Sequence, residues 1–126
     1  GLDRLHTFLV KYFRVLCEKH DIQIDQKIPL HGLVGQYIKA MKSSGIIESE
    51  MTERILKSSI ANMEAFNYVR NNQSFAHDNK VLKYSEAMLI FGHVTSSIRF
   101  IEDLEKVFEQ SKKKAITDFG PDNLPF

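Results

Sequence analysis

Apolar residues recur at three- and four-residue spacing in four separate stretches of this chain, a pattern that calls for helices packed against one another. In the first stretch Leu2, Leu5, Leu9, Tyr12, Phe13 and Leu16 alternate with Asp3, Arg4, Lys11, Arg14 and Glu18, which predicts an amphipathic helix of about five turns. The run "HDIQIDQKIP" interrupts it and closes on Pro29, so it reads as a connector or short extended piece. A second helix is predicted from Leu30 to about Ser43 on Leu33, Val34, Tyr37, Ile38 and Met41, with Gly45 suited to a C-terminal cap. A third opens at Ser49, a plausible N-cap, with Glu50 and Glu53 in its first turn, and carries Leu56, Ile60, Met63, Phe66 and Val69. The fourth and longest is expected from about Tyr84 to Lys113, with Ala87, Ile90, Phe91, Val94, Ile98, Ile101, Leu104 and Phe108 at near-heptad spacing.

No Asn-Gly or Asp-Gly hairpin signal occurs and no stretch alternates with period two, so strands are not expected. Four helices on short or moderate connectors make an all-α, antiparallel four-helix bundle the economical architecture. The 126 residues are about the size of one domain. The expected division is a helical domain over 1–113 and a flexible tail over 114–126, where "DFGPDNLPF" gathers two prolines and a glycine. The chain starts without Met and in mid-pattern at "GLDRLHTFL", which reads as a piece of a longer protein.

Composition removes several function classes. Hydrophobic residues at 43% and charged residues at 26% are ordinary for a soluble globular protein. The longest apolar-leaning run, "AMLIFGHVTSSI", is too short and polar for a bilayer span, so no membrane partner is expected. With Cys17 the lone cysteine, no internal disulfide can form and a cytoplasmic setting is the expectation. A net charge of +1 gives the molecule no overall attraction to nucleic acid, so any such contact must come from local charge.

The usual site signatures are also missing. The scattered glycines form no phosphate-cradling loop. His6, His20, His31, His77 and His93 do not fall into metal-ligand spacing with cysteine or acidic residues, so neither a metal nor a cofactor is expected. Cys17, in "VLC", reads as a buried structural thiol. Lys112, Lys113 and Lys114 read as a solvated helix end whose charge suits the macrodipole.

One polar stretch, "VRNNQSFAHDN" from Val69 to Asn79, lies between the third and fourth segments. Ser59, Met63, Phe66 and Arg70 follow one another at steps of four, three and four, which puts Arg70 on the line of core residues, where an arginine needs a partner or a crevice. A plain helix end, with arginine near the last carbonyls and asparagines in the turn, accounts for Asn67, Asn71 and Asn72. It accounts less well for His77, which follows the apolar approach "SFA" and is expected to be fixed against the bundle. An imidazole can exchange a proton near neutral pH, and a guanidinium can fork onto a phosphate and hold the charge of its transition state. RNA supplies its own nucleophile in the 2′-hydroxyl, so one acid/base and one phosphate clamp form a minimal ribonuclease.

Arg70, Asn71 and His77, an arginine and a polar residue followed after a gap by histidine in a helical domain, resemble the motif of the HEPN superfamily. The stretches "LVGQYIKAMKSSGIIESEMTERILKSSIANMEAFNYVRNNQSFAHDN" and "YSEAMLIFGHVTSSIRFIEDLE" are similar to the abortive-infection-protein-like C-terminal domain, a HEPN branch of prokaryotic anti-phage systems. The resemblance spans roughly Leu33 to Glu105. It implies a HEPN-type bundle that pairs as a homodimer with two motifs in a shared cleft, cleaving RNA without metal and leaving a cyclic phosphate end. On that analogy His77 is the acid/base, Arg70 the phosphate clamp and Asn71 an orienter of His77 or of the scissile phosphate. The implied role is a toxin or effector, with RNA as substrate and an antitoxin or upstream domain as further partners. The alternative is a catalytically inactive HEPN-like dimerisation or RNA-binding module of a larger defence protein.

Overall fold

A computed structural model describes residues 2–72 and 80–118, with side chains described for 2–68 and 83–116. Four helices follow in order: α1 Leu2–Lys19, α2 Leu30–Ser43, α3 Glu50–Asn72 and α4 Lys80–Asp118. There is no strand among the described residues, and the chain is an all-α bundle. None of its described helices is long and apolar enough to cross a membrane.

The ends of α1 and α2 are built alike. After α2, Gly45 N–H donates to Lys42 O and Ile46 N–H reaches back to Met41 O, the paired bonds that close a helix when the next residue turns left-handed. Gly45 takes that conformation at φ +79°, at no cost to a residue lacking Cβ. After α1, Asp21 N–H bonds Glu18 O and Ile22 N–H bonds Cys17 O, and Asp21 itself holds φ +57°. In each case an isoleucine beyond the turn, Ile22 or Ile46, folds back onto the core. The expected cap of α3 is present: Ser49 Oγ accepts from Thr52 N–H at 3.4 Å.

The core joins Leu9, Phe13, Leu16 and Cys17 of α1 with Leu30, Leu33, Val34, Tyr37, Ile38 and Met41 of α2, and with Leu56, Ile60, Met63, Val94 and Ile101 of α3 and α4. Burying each large apolar side chain contributes roughly 1.5–3 kcal/mol. Phe13 meets Tyr37 edge-on at 6.0 Å, and Cys17 Sγ donates to Leu33 O at 3.7 Å, so α1 and α2 run in opposite senses. Cys17 is fully buried, as its sequence context predicts, and burial pushes its thiol up from the ordinary range. Between α1 and α4 the residue numbers rise together, through Tyr12 with Glu102 and Lys19 with Glu109.

α4 is longer than its apolar stripe predicts. It begins at Lys80 and continues through Lys114–Asp118 to the edge of the described residues, because "KVLK" and "KKKAIT" contain no breaker and helix formers need no core contact to extend an existing helix. Lys112, Lys113 and Lys114 are exposed but lie inside the helix, so they do not complement the dipole of its last turn as expected. Residues 119–126, most of the expected tail, lie outside the described residues.

Candidate functional site

Arg70 and Asn71 fall in the last turn of α3, next to its final residue Asn72. α4 starts at Lys80, and His77 lies outside the described residues. The backbone therefore brings Arg70 and Asn71 to the joint of α3 and α4. The distance from either to His77, and the expected fixing of His77 by "SFA", also lie outside the described residues.

The line that leads to Arg70 behaves as its spacing predicts. Ser59 and Met63 are buried and Phe66 is half-buried, so this edge of α3 faces the bundle, and Arg70 is its next register position. On a neighbouring line Glu64, Tyr68 and Asn71 stand at i, i+4 and i+7. Glu64 lies between two histidines from other helices: His6 Nε2 of α1 is 4.0 Å from one oxygen and His31 Nδ1 of α2 is 3.9 Å from the other. Protonation of either imidazole turns these contacts into ion pairs. The beginnings of α1 and α2 thus both reach α3 at Glu64, six residues before Arg70.

The opening turns of α4 lie beside the same joint. Tyr84, Met88 and Phe91, at i, i+4 and i+7, share one face and are 68%, 49% and 49% exposed. In sequence Tyr84 marks the expected start of the helix and Phe91 reads as part of the inward stripe. Its exposure places it at the border of that stripe, whose buried members are Val94, Ile101 and Leu104.

A polar group that the sequence reading missed lies at the far end of α1. Glu105, 7% exposed, accepts from Lys19 Nζ at 2.8 Å and from Tyr37 Oη at 2.6 Å. His20 Nε2 is 2.8 Å from the same carboxylate and, since an ionised carboxylate only accepts, carries the proton between them. Phe108 packs edge-on against the His20 ring at 4.4 Å. The signal was present in the spacing, because Glu105 is seven residues after Ile98 on the inward stripe of α4. A carboxylate in such a place needs several donors, and here it has them.

Among the described residues no group of three or more His, Cys, Asp or Glu side chains is placed to hold a metal ion. Every buried side-chain nitrogen or oxygen described has a hydrogen-bond partner. Residues 1–105 match the model of the Abi_C family, described as a HEPN-like domain. No curated protein and no solved structure matches the chain.

Proposed function

Because the chain belongs to the family of HEPN-like domains, we propose that it is a defence-related HEPN module acting as a metal-independent endoribonuclease, an effector or toxin against phage. The observation that carries this reading is the position of Arg70 and Asn71 in the final turn of α3, within the matched residues and seven and six positions before His77. In the proposed reaction the imidazole of His77 accepts the 2′-hydroxyl proton of RNA and the 2′-oxygen bonds to phosphorus. The bond from phosphorus to the 5′-oxygen then breaks, and that oxygen takes the proton back from the His77 imidazolium. The products are a cyclic phosphate and a 5′-hydroxyl. Arg70 clamps the phosphate oxygens through its planar fork, where charge builds in the transition state. Asn71 orients His77 or the scissile phosphate.

The proposed assembly is a homodimer in which two motifs share one cleft. Supporting it, the Tyr84, Met88 and Phe91 face begins one turn after the start of α4 and borders the α3–α4 joint. An apolar row of this kind gains free energy when a second surface covers it. The same row fits the alternative, a non-catalytic dimerisation or RNA-binding module, equally well, so the chemistry has to be tested separately.

The test is RNA cleavage by the purified chain in the presence of a chelator. The parent cleaves, and His77→Ala and Arg70→Ala lose activity by about a hundredfold or more, the typical contribution of a positioned acid/base or charge clamp. Binding of RNA without products would establish the non-catalytic module instead. Cleavage by both variants at the parent rate would remove Arg70 and His77 from the chemistry.

A further inference from the structure

We propose that Glu105 is an acid-operated latch: its carboxylate clamps the C-terminal half of α4 onto the α1–α2 pair, and protonating it releases that half while the other helices stay packed. Three donors converge on this one buried carboxylate. Lys19 and His20 come from the end of α1 and Tyr37 comes from the middle of α2. Lys19 also reaches Glu109 at 3.0 Å, one turn further along α4, and one turn earlier Tyr12 donates to Glu102. From α3, the buried polar group that meets α4 is the Ser59 hydroxyl at Ser97, which does not titrate. The N-terminal half of α4 is seated on α3 by that contact and by Val94, with Ile101 and Leu104 the last buried apolar residues before the helix becomes largely exposed. The latch lies where apolar anchoring of α4 ends.

Protonation at Glu105 leaves Lys19 and His20 facing a neutral acid, with the half-exposed Glu109 still bound to Lys19. Burial pushes the Glu105 carboxyl up, but the bonds from Lys19, Tyr37 and His20 outweigh it and hold the group below the usual carboxylate range. Lys19 is correspondingly raised by its bonds to Glu105 and Glu109. A carboxyl depressed in the folded state stabilises fully above its unfolded value, about 4.3 for glutamate, and loses that contribution as pH falls through the folded value. The latch is therefore closed at neutral pH and opens on acidification below that range.

Backbone amide exchange of the full chain, corrected for the intrinsic pH dependence of exchange, reads the device directly. In the parent, protection over 101–109 falls severalfold on acidification as the charged acceptor is lost, while protection in α2 is kept. Glu105→Gln, which keeps the shape and removes the charge, already has the low protection at neutral pH and loses the pH dependence. Lys19→Gln, at a half-exposed position, moves the midpoint to higher pH and keeps the test open if Glu105→Gln does not fold. Loss of protection in 101–109 only together with α2, an unshifted midpoint in Lys19→Gln, or an unchanged pH response in Glu105→Gln would each overturn the latch.

Discussion

Ser59 and Ser97 share a hydrogen bond of 2.8 Å between their hydroxyls, buried in the seam of α3 and α4. Removing one partner strands the other in an apolar seam, which costs about 1–3 kcal/mol, whereas removing both is close to neutral. Ser59→Ala and Ser97→Ala should each lower stability, and the double variant should be destabilised by less than the sum. Denaturant unfolding of the four proteins checks this as a double-mutant cycle, and strict additivity would contradict it.

Tyr37→Phe keeps the ring against Phe13 and His20 and deletes the donor to Glu105. A bond to a charged group contributes about 1.5–3 kcal/mol. The variant should lose that much at neutral pH. As pH falls through the depressed value of Glu105 the difference should shrink, because the parent loses its charged acceptor too. Parallel stability curves for the two proteins from neutral to acid pH would count against this account.

The two left-handed caps make opposite predictions. Gly45→Ala puts a Cβ at φ +79° and should destabilise by about 1 kcal/mol. Asp21→Gly relieves the same geometry at φ +57° and should be neutral or stabilising by up to about 1 kcal/mol. Thermal unfolding of both variants reads the sign.

Much of this fold could be read from residue spacing. Leu30 to Ser43 is bounded by Pro29 and Gly45, strong local signals at both ends, and α2 spans those residues. The ends of α4 were less legible, since the inward stripe marks where a helix is packed and says nothing of where its backbone stops. Glu105 was overlooked for a different reason: its donors, Lys19, His20 and Tyr37, are 68 or more residues away in sequence, and periodicity within one helix carries no record of the other. In the candidate site, the inward line was legible through Ser59, Met63 and Phe66, and Arg70 is the next register position. The meeting of His6 and His31 at Glu64 was not, because it depends on how three helices cross.

The exposed row on α4 gives a prediction about assembly. Met88→Glu places a charge in the middle of the face made by Tyr84, Met88 and Phe91 and should turn a dimer into monomer by light scattering, with little loss of helicity because the position is already half in water. A parent that is monomeric at every concentration, or a variant that dimerises as the parent does, would exclude that face.

The central claim is that RNA supplies the nucleophile and the motif of Arg70, Asn71 and His77 supplies the rest. The most direct measurement compares an RNA oligonucleotide with the same oligonucleotide carrying a single 2′-deoxy sugar at the cleaved position, in chelator, with the product ends identified by mass spectrometry. The account predicts a cyclic phosphate from the RNA and no cleavage at the 2′-deoxy position. Cleavage of the 2′-deoxy substrate at a comparable rate would contradict it.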